Sequence, residues 1–359
     1  MSLSTYHRIV IKIGSNVLTD DQSRPDLLRI AHLVEQVAWL RSQGAEVVLV
    51  SSGAVAMGRS ALPQLSHVNP VLRRQVWASV GQPRLMQIYQ QLFDAHGTHI
   101  AQLLVTKEDF RDREHYLNMK SCLQGLLRDE IVPIINENDA VAVTELMFTD
   151  NDELAGLVAA AVNSDALVIL SNVAGIYDGH PNDPNSRLIR QIDPNDAQFQ
   201  RFILPSTSSF GRGGMNTKYR IARKAAILGV DTIIANGKKD QILHEIWLQT
   251  GEYTLFPSQK KTSNLKKRLA YQAAEPKGKI IINAGAAQAL RAEERVSSLL
   301  PVGVTAIEGE FERGDIVAIY CGTEELGIGM AQYSALTARK YLGQKGKKAL
   351  VHYDYLLIG

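Results

Sequence analysis

Short apolar runs recur along the first two-thirds of the chain, at Ile9–Ile13, Val47–Val50, Ile100–Val105, Ile131–Ile135, Leu167–Leu170 and Thr232–Ala235. Between them lie stretches with helical spacing of apolar positions: Leu27–Arg41, Val71–Phe93, Arg113–Leu127, Leu154–Val162 and Met215–Leu228. This alternation, from Arg8 to about Thr254, predicts an α/β fold with a mostly parallel, open sheet sandwiched by helices. The apolar runs alternate little with polar residues, as strands buried on both faces do. In sheets of this kind ligands sit beyond the carboxyl ends of the strands, so the residues there are the first candidates for chemistry.

The pattern changes at Pro257–Arg268, a polar stretch carrying Lys260, Lys261, Lys266, Lys267 and Arg268. Short strands with turn signals follow, at Gly278–Asn283, Gly303–Ile307, Asp315–Tyr320 and Ala349–Tyr355, and predict a small β-barrel-like module. The expected organisation is a catalytic domain over 1–256, a linker over 257–276 and the small module over 277–359. Net charge is +2 overall but +5 from Pro257 onward, so only the tail gives electrostatic support to an RNA partner, and that support is modest. Cys122 and Cys321 stand far apart and outside any metal-ligand spacing, as reduced cytosolic thiols would. With no signal-peptide pattern and no apolar run long enough to span a bilayer, a cytoplasmic protein without a membrane partner is expected.

Four strand ends stand out. Lys12 lies inside an apolar run and is followed by Gly14 and Ser15, and a buried lysine is costly unless its charge meets an anion. An edge lysine that reaches out to solvent is the alternative. After the second run, Ser51-Ser52-Gly53-Ala54 suits either close backbone approach to an anionic ligand or a plain helix cap. After the fourth, Asn136-Glu137-Asn138-Asp139 offers carboxylate and amide acceptors for an α-ammonium group, with a solvated turn as the alternative. After the fifth come Ser171 and Asn172.

Two further clusters complete the candidates. Asp150-Asn151-Asp152 precedes an apolar helix that Asp150 or Asn151 would cap, or else supplies an acid that holds catalytic lysines. The glycine-rich segment through Arg212, Gly213, Gly214, Met215, Asn216 and Thr217 leads to Lys218. A cation in the first turn of a helix is electrostatically disfavoured, and nucleotide phosphates would compensate it.

Taken in order, Lys12-Ile-Gly-Ser, Ser51-Ser-Gly-Ala, Asn136-Glu-Asn-Asp-Ala-Val, Asp150-Asn-Asp and Gly213-Gly-Met-Asn-Thr-Lys218 resemble the amino acid kinase family. The segment Asn136–Val141 is similar to the glutamate 5-kinases in particular. The tail, with Ser298-Leu-Leu-Pro-Val-Gly303 and Gly309-Glu-Phe-Glu-Arg-Gly314-Asp, resembles a PUA domain, an RNA-binding module elsewhere.

The resemblance implies ATP-dependent phosphorylation of the glutamate side-chain carboxylate, the first step of proline biosynthesis, with Mg²⁺ as cofactor. Proline is the expected feedback inhibitor and a homo-oligomer the expected assembly. By resemblance, Lys12 and Lys218 stabilise the transferring phosphoryl group and Asp152 orients them. Ser52, Asp139 and Asn151 contact glutamate; Lys12, Ser171, Asn172 and the segment Arg212–Lys218 contact the nucleotide. No protein residue is expected to bind metal. Three departures fall on the nucleotide side: Asn172 in place of the usual aspartate, Arg212 in place of threonine, and His180 before Pro181 in place of aspartate. The rival readings are a kinase of the same fold acting on aspartate, acetylglutamate, carbamate or a nucleoside monophosphate, and an RNA-binding regulator on a degenerate kinase fold.

Overall fold

Every apolar run of the first part becomes a strand of one seven-stranded sheet in the computed structural model, which describes residues 6–65, 69–141, 150–181, 183–196, 214–258, 276–291 and 297–358. The strands are β1 (Arg8–Ile13), β2 (Glu46–Ser51), β3 (Ile100–Val105), β4 (Val132–Glu137), β5 (Ala166–Ser171), β6 (Asp231–Asn236) and β7 (Tyr253–Phe256). Their order is β3-β4-β2-β1-β5-β6-β7, parallel throughout except for β7, which runs antiparallel to β6. The apolar pattern predicted the parallel part; β7, four residues long, carries too little pattern to be read as a strand.

Helices α1 (Leu27–Ser42), α2 (Ala54–Ala61), α3 (Pro70–Asp94), α4 (Lys107–Arg111), α5 (Arg113–Arg128), α6 (Asn151–Ala161), α7 (Met215–Ile227) and α8 (Ile242–Leu248) connect the strands. Strand alternation sorts the sheet's side chains between two faces. Ile9, Ile11 and Ile13 join residues of α1, α3 and α8 in one core, with Val47, Leu49, Val168 and Leu170. Val10 and Lys12 fall on the opposite face, against which α6 packs. The small residues of α6 (Ala155, Gly156, Ala159, Ala160) are buried there. Parity along β1 is therefore what delivers Lys12 to α6.

The chain divides into two compact units, Met1–Lys261 and Thr262–Gly359. The second holds β8 (Gly278–Ile282), α9 (Ala284–Arg291), β9 (Val304–Gly309), β10 (Ile316–Cys321), β11 (Glu324–Ala331), α10 (Ala335–Lys340) and β12 (Val351–Ile358). Its five strands form a sheet of order β12-β11-β10-β8-β9 over a core that includes Ile280, Leu299, Val317, Ile319 and Leu350. Strand β11 is missing from the sequence prediction because Gly327 and Gly329 dilute its β-forming pattern. The lysines and arginine of the polar stretch after Pro257 lie outside the described residues.

Candidate active site

The carboxyl ends of β1, β2, β4 and β5 converge where central strands of the sheet turn toward opposite edges, the position at which open α/β sheets bind ligands. Lys12, 5% exposed, does not reach solvent as an edge lysine would. Its Nζ stands 2.6 Å from Oδ1 of Asp152, a residue with no exposed surface. Lys218 Nζ stands 2.6 Å from the other oxygen, Oδ2. One buried carboxylate thus bridges two ammonium groups, one from a strand end and one from the first turns of α7. Burial would raise the Asp152 carboxyl, but the two lysines outweigh it and hold the group well below the usual carboxylate range. A Cβ on Gly14 would lie 3.3 Å from Lys12 Nζ, so glycine there leaves the ammonium room beside the chain.

Asp152 gets its position from the start of α6, three residues earlier than the apolar pattern places it. Asp150 is the N-cap, its Oδ1 accepting from the backbone N–H groups of Asp152 and Glu153 at 2.9 and 3.1 Å. Its Oδ2 is buried and takes no hydrogen bond among the described residues. Burial and the adjacent Asp152 charge push the Asp150 carboxyl up to about 6 against the pull of Lys12 and Lys218. The cap reading thus holds for Asp150 and fails for Asn151.

Asn151 instead faces the loop after β2 and the end of β4. Its amide nitrogen donates to Ser52 Oγ at 2.8 Å and to Asn136 Oδ1 at 3.0 Å. Asn136, 3% exposed, donates in turn to Gln82 Oε1 of α3 at 3.0 Å. Neither Ser51 nor Ser52 caps α2: Gly53 does, in a left-handed conformation (φ 111°) without a side-chain hydrogen bond. Freed from capping, Ser52 enters this network, while Ser51 shares a hydrogen bond of 2.8 Å with the buried Tyr89 hydroxyl. The β4 segment is no solvated turn, since Asn136, Glu137 and Asp139 are all buried. Asp139 is held by Arg74 of α3, whose Nε and Nη2 both donate to its Oδ1, at 3.2 and 3.0 Å.

On the other side, Ser171 is buried and its Oγ donates to Asn172 Oδ1 at 3.3 Å, with Asn172 exposed. Gly214 caps α7 without a side-chain bond, and the first turn through Met215, Asn216 and Thr217 contains no acid. Its backbone amides are those of a helix N-terminus suited to an anion. The expectation that Lys218 needs an external polyanion is corrected in part: Asp152 already supplies one negative charge within the chain. Arg212 and Gly213 lie outside the described residues.

Sequence reasoning missed Arg74, Gln82 and the buried second oxygen of Asp150. The first two sit on a helix whose polar positions read as a solvated face, and their partners are remote in sequence. Among the described residues, no three His, Cys, Asp or Glu side chains cluster as a metal site, and no helix is long and apolar enough to cross a membrane.

Residues 7–236 match the model of the amino acid kinase family, and residues 278–353 that of the PUA domain. The chain is 48% identical over 355 residues to the glutamate 5-kinase of Chlorobaculum tepidum, covering 98% of each. It is 46% identical over 358 residues to that of Bacteroides thetaiotaomicron, covering 98% of this chain and 99% of the other. Among solved structures, carbamate kinase from Giardia lamblia bound to AMP-PNP shares the fold, with a TM-score of 0.52 and 17% identity over 70% of this chain and 99% of its own. A seven-stranded sheet in this strand order, two lysines on one buried carboxylate and a family match over most of the first unit lead to one assignment: the chain belongs to the amino acid kinase family and ends in a PUA domain.

Proposed function

We propose that this protein transfers the γ-phosphoryl group of ATP to the side-chain carboxylate of L-glutamate, forming glutamate 5-phosphate. The bridging of Lys12 and Lys218 by Asp152 carries the mechanistic part of this reading, and full-length similarity to glutamate 5-kinases carries the substrate. A glutamate side chain is ionised at neutral pH and attacks without a general base. The work left to the protein is alignment and neutralisation of charge on the moving phosphoryl group. Two ammonium groups held in place beforehand do this at no reorganisation cost in the transition state. Asp152 holds one on each of its two oxygens.

In this reading Ser52, Asn151 and Asp139 hold glutamate, with Asp139 taking its α-ammonium group. Ser171, Asn172, Arg212, Gly213, Gly214, Met215, Asn216 and Thr217, together with the two lysines, hold the nucleotide. Mg²⁺ bound mainly through phosphates needs only one or two protein carboxylates. The buried Oδ2 of Asp150, which takes no hydrogen bond from the described residues, fits that donor set, and the ion would neutralise further phosphate charge. Proline as feedback inhibitor and a homo-oligomeric state belong to the same reading and rest on the resemblance alone. The free thiols of Cys122 and Cys321 support a cytoplasmic location. The unit boundary at Lys261 and the PUA match from residue 278 support a catalytic domain over 1–256, a linker over 257–276 and a terminal domain over 277–359.

A coupled assay of ADP release across glutamate, aspartate, N-acetylglutamate, carbamate and UMP tests the assignment. Glutamate should give the highest kcat/KM, and a clear preference for any other acceptor would replace it. Asp139→Asn should raise the glutamate KM while leaving the ATP KM nearly unchanged; an equal loss for ATP would make the loop structural. Asn172→Asp replaces an amide that both donates and accepts with an acceptor-only anion. It should change the preference between ATP and other nucleoside triphosphates at constant glutamate KM. A nucleotide profile identical to wild type would show that this departure is silent.

A further inference from the structure

Among the pairings near the site, that of Arg74 with Asp139 is built in an unusual way. Both guanidinium donors, Nε and Nη2, converge on one oxygen, Oδ1 of Asp139. Nη1 of Arg74 and Oδ2 of Asp139 make no hydrogen bond among the described residues. The Arg74 side chain is 34% exposed and that of Asp139 8%, so a ligand can reach the arginine past a carboxylate that is nearly covered. Nor is the pair free to drift. Asn136, at the end of β4, donates to Gln82, eight residues further along α3, at 3.0 Å, so the helix is joined both to the strand end and, through Arg74, to the loop that follows it. The result is a fixed positive group beside a fixed negative group, each with hydrogen-bonding capacity that the described residues leave unused.

An α-amino acid carries the matching pair, an ammonium and a carboxylate on one carbon. We propose that Arg74 receives the α-carboxylate of the substrate while Asp139 receives its α-ammonium group, so that the ion pair selects zwitterionic α-amino acids over simple carboxylates. This rests on the reading of Asp139 given above. Its physical content is geometric: an arginine fork offers donors in a plane, and a charge-assisted pair with a carboxylate is among the stronger polar contacts a site can make. A site whose charged donor is left unpaired also rejects a ligand lacking the matching group more strongly than packing alone could.

Two analogues of glutamate separate the roles. Glutarate lacks only the ammonium group; 4-aminobutyrate lacks only the α-carboxylate. With the full-length protein, kcat/KM or the inhibition constant against glutamate is measured for all three in wild type, Arg74→Gln and Arg74→Lys. For Arg74→Gln, glutamate and glutarate should each weaken by about 10- to 100-fold, the cost of a hydrogen bond to a charged group. 4-Aminobutyrate should be unchanged or improved, and the ATP KM unchanged. Arg74→Lys, which keeps the charge without the fork, should recover part of the loss. An equal loss for all three ligands would make the pair a structural clasp and overturn the proposal. So would a selective loss for the ammonium-bearing pair, which would mean that Arg74 acts only through Asp139, and so would no change. If the wild-type protein itself does not phosphorylate glutamate, the functional reading fails, a result distinct from any of these.

Discussion

Lys12→Ala and Lys218→Ala are each expected to lower kcat by about a hundredfold or more while the glutamate KM moves much less. That is the usual cost of removing one preorganised group aimed at charge that develops in the transition state. The split between kcat and KM follows from where the lysines stand. Both contact the Asp152 carboxylate at the ends of β1 and α7, whereas the side chains proposed to hold glutamate lie elsewhere, Ser52 and Asn151 in a network with Asn136, and Asp139 on Arg74. Each variant keeps one ammonium on Asp152, so the buried carboxylate is never left bare. Steady-state kinetics in both substrates checks this; near-normal kcat in either variant would remove that lysine from the mechanism.

Asp152→Ala should be the more damaging change, because it strikes the fold as well as the chemistry. Deleting a partner from a buried ion pair leaves an uncompensated charge and costs about 3–5 kcal/mol. Here the deletion leaves two ammonium groups, one of them 5% exposed, with no shared counter-charge. Asp152→Asn separates the two effects. The amide fills the same volume but cannot neutralise the lysines, so the protein should fold with a lower melting temperature and a kcat reduced by about a hundredfold or more. Thermal denaturation and kinetics on both variants test this. An asparagine variant with wild-type kcat would show that Asp152 does not organise the lysines.

The parallel sheet was legible because strands buried on both faces must be apolar almost throughout, and Lys12 breaks that rule in the buried part of β1, Ile9–Ile13. A charge placed there announces a partner. Which partner was not legible from composition or spacing: Asp152 is 140 positions away and entered through resemblance to a family. Ser52 and Asn151 were named as separate ligands, and the structure joins them by a hydrogen bond that no local pattern encodes. Arg74 and Gln82 escaped notice for a related reason. On a 25-residue helix a polar residue looks the same whether it faces water or clasps a loop. Cap chemistry misled once, since two serines before a helix read as caps while Gly53 took the position by adopting a conformation that side chains disfavour. Strands β7 and β11 were lost to short length and to glycine, both of which weaken a periodic signal.

In the proposed reaction a side-chain carboxylate of glutamate becomes an acyl phosphate at the expense of ATP. Hydroxylamine traps such a product as a hydroxamate, whose mass and position identify the carboxylate that was activated. The full-length protein with ATP, Mg²⁺ and glutamate should yield γ-glutamyl hydroxamate in step with ADP. Lys12→Ala, Lys218→Ala and Asp152→Asn should each yield about a hundredth of that amount or less at equal enzyme and time. ADP formation without hydroxamate, or efficient trapping from aspartate, N-acetylglutamate or carbamate but not from glutamate, would contradict the account.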